Sequence, residues 1–225
     1  MDAKEMAKKQ AGEASFRFIE NGMTIGLGSG STVYWMIRKL GEHVCDGLNV
    51  AGIPSSRQTE AWAKEFGVPL TDFSQTQTLD LAIDGADEAD QSWNLTKGGG
   101  GALVREKIIA AAAEQFVVIV DESKLVDQLG AFPLPVEVLP FGWEVTAERI
   151  ANLGAKPVVR QNNGSLFTSD NGNYILDCDF GTIHEPAALH QQLKQLVGVV
   201  ETGIFAGMAD KLLVGHPDGV DIRDS

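Results

Sequence analysis

The chain has 225 residues, enough for one large domain or one and a half with a sizeable core. Asp and Glu outnumber Lys and Arg by 31 to 18, a net charge of -13, and no basic stripe breaks that balance, which argues against a nucleic-acid partner. No apolar run approaches the roughly 18 residues of a membrane span, and MDAKEMAKKQAGEASFRFIE has no apolar stretch suited to a signal peptide, so a cytoplasmic protein is expected.

In chain order, MAKKQAGEASFRFIENG reads as a helix closed at Asn21-Gly22, and MTIGLG (23–28) as a short buried strand. GSGST then turns into a helix through VYWMIRKLGE. NVAGI (49–53) is strand-like, and SSRQTEAWAKEFG is a helix with Ser/Thr starters and a glycine stop. Another strand begins near Leu79, followed by the helix ALVREKIIAAAAE and the strand QFVVIVD. Strands alternating with helices imply βαβ units and a mostly parallel sheet.

The character changes near Gly130. AFPLPVEVLPF, with its three prolines, is expected to be extended or edge-like. VTAERIANLG is a helix, KPVVR a strand, and SLFTSDNG and NYILDCDF are strands joined by a turn at Asp170-Asn171-Gly172. EPAALHQQLKQLVG is a helix with Pro186 in its first turn. The closing GIFAGMADKLLVGHPDGV is apolar enough to rejoin the main sheet. Residues 1–129 plus 203–225 are therefore expected to form a Rossmann-like domain, and 130–202 a smaller α+β domain. Cys45 and Cys178, far apart and without CxxC spacing, are expected to be buried, reduced thiols.

Three stretches carry chemistry. GLGSGST, Gly26 to Thr32, sits at a strand-to-helix junction, where glycines allow close approach and free N–H groups suit a phosphate. It matches neither GxGxxG nor the Walker loop, and a tight turn with a Ser/Thr cap accounts for it equally. DGADE, Asp84 to Glu88, follows an apolar strand, at the strand end where open α/β sheets bind ligands. An acidic turn, a helix cap or a Mg²⁺ site are its other readings. KGGGGALVREK, Lys97 to Lys107, places four adjacent glycines between a lysine and Glu106. Each glycine loses much backbone entropy on folding, so such a run is either a flexible loop or backbone packed closely against something. The histidines 43, 184, 190 and 216 show no ligand-like spacing and read as surface or capping residues.

Together with VDESK (120–124), FPLPVEV (132–138), DNGNYILD and HPDGV, these motifs resemble the A-type ribose-5-phosphate isomerases in joint order and spacing. The resemblance runs through most of the chain. It implies an α/β fold with a Rossmann-like domain and a smaller ferredoxin-like α+β domain. It also implies the reversible interconversion of ribose 5-phosphate and ribulose 5-phosphate in the pentose phosphate pathway, with no metal or other cofactor.

By the same resemblance Glu106 is the base, with Asp84, Asp87 and Lys97 as its catalytic companions. Substrate binding falls to Ser29, Gly30, Ser31, Thr32, Asp84, Gly85, Ala86, Asp87, Lys97, Gly98, Gly99, Gly100 and Lys124. Lys8 is a looser match to an amino-terminal phosphate-facing lysine. Gly101 stands where some members carry alanine. A homodimer is implied, or a tetramer, with a sugar phosphate as the small-molecule partner. Burial and neighbouring aspartates would raise the affinity of Glu106 for a proton, and a helix amino terminus would lower it.

Two other readings compete. A sugar-phosphate sensor would need a DNA-binding module, for which the roughly twenty residues before the first strand leave little room. A CoA transferase-like enzyme would lack the pairing of Lys97 with DGADE.

Overall fold

A computed structural model describes residues 1–224; Ser225, the last residue of the range assigned to the larger domain, lies outside the described residues. The elements run α1 (Ala3–Ala14), β1 (Thr24–Leu27), α2 (Ser31–Cys45), β2 (Ala51–Pro54), α3 (Arg57–Glu65), β3 (Leu81–Asp84), β4 (Glu88–Ala89), β5 (Leu95–Thr96), α4 (Leu103–Ala112) and β6 (Phe116–Asp121). They continue with β7 (Leu134–Val138), α5 (Trp143–Ala151), β8 (Lys156–Val159), β9 (Gln161–Asn162), β10 (Ser165–Leu166), β11 (Tyr174–Asp179), α6 (Pro186–Lys194), β12 (Val199–Thr202), β13 (Ile204–Phe205), β14 (Lys211–His216) and β15 (Gly219–Asp224).

The chain divides into two compact units. One comprises Met1–Ala86, Arg105–Lys124 and the segment from Met208 onward; the other comprises Asp87–Val104 and Leu125–Gly207. The sequence-based boundaries at 129/130 and 202/203 keep 87–104 with the parallel sheet, whereas the contacts group those residues with the α+β module.

In the first unit, among the described residues, the strands form a sheet ordered β15-β14-β6-β3-β1-β2. Its neighbours are parallel except for β15, which runs antiparallel to β14. Parallel strands covered on both faces must be apolar throughout, and β6 is buried along its whole length. The order reverses between β1 and β3, the topological switch point at which doubly wound sheets bind ligands. Ile25, Leu27, Met36, Ile37, Leu40, Leu81, Ile83, Val117 and Ile119 fill the core around that point.

The second unit has its own core, centred on Leu134, Val136, Val138, Ile150, Leu176 and Leu193. Its main sheet is antiparallel, ordered β12-β7-β11-β8, and with α5 and α6 it gives the β-α-β-β-α-β sequence of a ferredoxin-like module. This corrects the reading of FPLPVEV: β7 is a central strand, paired with β11 on one side and β12 on the other. Pro135 fits there because the β12 ladder stops at Val136↔Thr202. Beyond it the Pro135 carbonyl accepts from Gly203 N–H at 2.7 Å, so the missing proline N–H removes no ladder bond.

Three further expectations are corrected. Ile204–Phe205 does not rejoin the parallel sheet; it pairs with β5 in a small sheet ordered β13-β5-β4. SLFTSDNG pairs with Gln161–Asn162 rather than with β11, although a local turn does form where Gly172 N–H reaches the Ser169 carbonyl at 2.9 Å. Cys45 is exposed at the end of α2, where the apolar stripe has run out, whereas Cys178 is buried in β11. Burial, with a smaller contribution from the adjacent Asp177 charge, pushes the Cys178 thiol far up, keeping it neutral. No helix among the described residues is long and apolar enough to cross a membrane.

Candidate functional site

In the first unit the parallel strands bring several candidates to one edge of the sheet, beyond their carboxyl ends. β1 leads into Gly28-Ser29-Gly30, β3 ends at Asp84, and β6 runs into the turn Glu122–Lys124. Asp84 is 3% exposed and forms the centre of this row. Its Oδ1 accepts the N–H of Ser29 at 2.9 Å and that of Gly85 at 2.7 Å, closing the switch point between β1 and β3. A Cβ on Gly28 would stand 2.2 Å from the Asp84 Cγ, so the approach of the two strand ends requires glycine there.

The cap explanation of GSGST is not the one adopted. Gly30 is the N-cap of α2, at φ 98°, and no side chain caps the helix. Ser31 is exposed and Thr32 just buried in the first turn, where helix N–H groups and dipole favour an anion. The Ser29 hydroxyl turns instead into a cluster with Ser55 (2.7 Å), Ser56 (3.0 Å) and Thr59 (3.2 Å). Thr59 in turn donates to the Gly28 carbonyl at 2.7 Å, tying the start of α3 to the phosphate-loop candidate. The sequence shows these residues only as helix starters. Their role depends on the β1–β2 pairing, which sets Leu27 opposite Pro54.

Asp121 also belongs to this edge. It is buried, and its Oδ1 accepts the Ser123 N–H at 3.1 Å and the Ser123 hydroxyl. Its Oδ2 has no hydrogen-bond partner among the described residues. The acidic start of DESK thus shapes the turn that carries the half-buried Lys124. Glu106 lies in the first turn of α4 and is 6% exposed. Lys8 pairs with Glu5 at 3.5 Å on α1.

In the second unit the structure brings Asp87 to the glycine run. Asp87 Oδ2 accepts the Gly99 N–H at 2.7 Å. Gly101 N–H returns to the Gly98 carbonyl at 2.9 Å, closing a turn in which Gly98 (φ 104°) and Gly101 (φ 84°) occupy backbone regions hostile to other residues. Gly99 and Gly100 are exposed at its tip.

Lys97 is 2% exposed, its Nζ lying 5.5 Å from the centre of the Phe205 ring. Its backbone N–H donates to the Gly203 carbonyl at 2.8 Å, an acceptor that proline at 135 leaves available. Glu88, the last residue of DGADE, has a bracing role. It accepts from Thr96 (2.9 Å), Gly130 (3.0 Å) and Phe132 (2.7 Å).

The remaining titratable candidates lie elsewhere. His43 stacks on Phe16, His190 meets Thr202 at 2.8 Å, and His216 lies 3.2 Å from both Glu122 and Asp221. Among the described residues no cluster of three or more His, Cys, Asp or Glu side chains is arranged to hold a metal ion.

Comparison with known proteins identifies the family and its fold. Residues 51–219 match the family model for ribose 5-phosphate isomerase A (phosphoriboisomerase A). Ribose-5-phosphate isomerase A 1 of Oceanobacillus iheyensis is 54% identical over 224 residues, covering 99% of this chain and 100% of the relative. The Bacillus mycoides ribose-5-phosphate isomerase A is 48% identical, covering 95% of this chain and 97% of its own.

Among solved structures, a D-ribose-5-phosphate isomerase in complex with phospho-erythronic acid superimposes with a TM-score of 0.95 and 41% identity over the full length of both chains. The enzyme from Methanocaldococcus jannaschii gives 0.94 at 38% identity, covering 99% of this chain and 100% of that one. The chain belongs to the ribose 5-phosphate isomerase A family.

Proposed function

We propose that this protein interconverts D-ribose 5-phosphate and D-ribulose 5-phosphate, in the pentose phosphate pathway, through an enediolate and without a metal or organic cofactor. The observation that carries the reading is near-full-length identity of about half to enzymes of that name. The carboxylates, lysine and amide-rich loops at the strand ends are the chemistry such a reaction needs.

Glu106 takes the proton from C2 of the opened aldose. The C2–H electrons form the C1=C2 bond, and the carbonyl oxygen O1 becomes an oxyanion. Transfer of the O2 proton to O1 and return of the abstracted proton at C1 leave the C2 ketone and a C1 hydroxyl. Lys97 stabilises the oxyanion, its burial strengthening the attraction by excluding water. Asp84 and Asp87 move hydroxyl protons, including those released when the furanose ring opens.

The phosphate takes no part in bond changes and serves as a handle. It binds the amides and hydroxyls of the loop from Gly30 to Thr32 together with Lys124, while Ser29 fixes that loop through Asp84 and the Ser55–Ser56–Thr59 cluster, and Gly85, Ala86 and Gly98 to Gly100 line the sugar. Against a net charge of -13, such local donors are what make a dianion welcome. A cytoplasmic homodimer is the expected working form.

The test is turnover of ribose 5-phosphate by the purified protein, which should survive exhaustive EDTA treatment. Phospho-erythronic acid should inhibit competitively, since its planar carboxylate offers two oxygens where the enediolate has two. Glu106→Gln should lower kcat by about two orders of magnitude or more while KM changes little. A folded protein without turnover would sink the assignment, and a fully active Glu106→Gln would remove Glu106 as the base.

A further inference from the structure

The hairpins of the α+β unit hydrogen-bond the glycine run through Arg160. Arg160, at the end of β8, donates from Nη1 to the carbonyls of Gly98 (2.8 Å) and Gly99 (3.1 Å). The guanidinium is itself held from behind. Its Nε and Nη2 fork onto the two oxygens of Asp177 on β11, at 3.0 and 2.5 Å. Phe167 lies 5.6 Å from the guanidinium carbon, and the same ring closes on Gly101, where a Cβ would come within 2.5 Å of it. Arg160 N–H bonds the Ile175 carbonyl, and Phe167 N–H bonds the Arg160 carbonyl, so the clamp is anchored in ordered backbone.

The geometry has a chemical consequence. A trans peptide points each carbonyl and the following N–H in opposite directions. With the Gly98 and Gly99 carbonyls drawn to Arg160, the N–H groups of Gly99 and Gly100 face the other way, and that of Gly99 reaches Asp87. Four successive glycines give the loop many other peptide orientations of similar energy. The clamp selects one.

We infer that Arg160, aligned by Asp177, is a positioning residue for the isomerisation, setting the direction of the glycine-loop amides and the approach of Lys97. This rests on the assignment of Lys97 to Gly100 as substrate-binding residues. Lysine cannot replace Arg160, because a single ammonium does not reach Asp177 and two carbonyls in one planar fork.

The experiment compares wild type with Arg160→Ala, Arg160→Lys and Asp177→Asn by steady-state kinetics on ribose 5-phosphate and by hydrogen exchange of the peptide spanning 97–103. Arg160→Ala is expected to lower kcat/KM about tenfold to a hundredfold, as loss of alignment commonly does. It should speed exchange in 97–103 while leaving the strand 116–121 unchanged. Free guanidinium at sub-denaturing concentration should restore part of the activity, a response that a merely structural side chain would not give. Arg160→Lys should resemble Arg160→Ala, and it decides the matter if the alanine variant does not fold.

A kcat/KM within about twofold of wild type, with exchange unchanged, would overturn the inference. So would faster exchange spread evenly over 125–207, which would make Arg160 a support of the whole unit. If wild type itself fails to turn over ribose 5-phosphate, the functional reading fails with the positioning role. The exchange comparison still judges the clamp separately.

Discussion

Two glycine-rich stretches, GLGSGST and KGGGG, look alike in sequence and are built on different physics. In the first, Gly28 at the strand end is required by closeness, while Gly30, at φ 98°, caps α2. The ends of β1 and β3 approach until Asp84 fills the space a Cβ on Gly28 would take, and backbone amides close on its carboxylate. In the second, glycine is required by torsion at Gly98 and Gly101, and the loop is held by side chains, Asp87 on one face and Arg160 on the other. The first stretch is part of a packed sheet edge, and the second is a turn hydrogen-bonded to Asp87 and Arg160.

The largest expected effect breaks the first stretch. Gly28→Ala would put a methyl 2.2 Å from Asp84 Cγ and 2.6 Å from its Cα, and a backbone atom inside a parallel sheet cannot swing aside. Overpacking of this kind should cost about 1–3 kcal/mol, lowering the midpoint of thermal unfolding and the activity together. An unchanged midpoint would mean that β1 and β3 have room to separate, and the contrast with the second stretch would collapse.

Next comes the pair Asp84→Ala and Asp87→Ala. Both should depress turnover if both carboxylates handle hydroxyl protons, so stability is what tells them apart. Asp84 is buried and accepts two backbone N–H groups; removing it should cost about 2 kcal/mol, because buried donors lose their acceptor. Asp87 accepts from Gly99 at an exposed turn, where water can take its place, so its loss should cost under about 1 kcal/mol. Urea unfolding of the two variants measures the difference, and equal costs would contradict the division into a packed edge and a clamped turn.

How much of this was legible in the sequence follows from what each residue depends on. β1, β3 and β6 were legible because strands covered on both faces are apolar runs, and the motifs at their ends mark the ligand side of the sheet. Pro135 misled because proline normally keeps to sheet edges. Its place in a central strand depends on where β12 stops, which no local pattern records. Arg160 and Asp177 read as ordinary strand residues, 62 and about 80 positions from the loop they serve, and only the β8–β11 register brings them together. Ser55 and Thr59 were visible as helix starters, but their approach to Ser29 depends on the β1–β2 pairing. Local signals survive in sequence; contacts made through register do not.

The smallest expected effect sharpens the second stretch from within. Gly99→Ala sets a methyl 2.5 Å from Asp87 Oδ1, an atom at the end of a side chain that can rotate away. Rotation would release the Gly99 N–H and move a proposed catalytic carboxylate, so kcat/KM should fall about tenfold with little change in stability. Gly100 has a backbone any residue can adopt, and no atom lies within 4 Å of where its Cβ would be. Gly100→Ala should therefore alter stability by less than about 0.5 kcal/mol. If bare backbone at Gly100 is needed for the sugar phosphate to approach, KM should nonetheless rise, because the methyl would meet substrate and no part of the protein. An unchanged KM would confine the requirement for glycine to Gly98, Gly99 and Gly101, leaving Gly100 as the one member of the run that the loop's own structure does not demand.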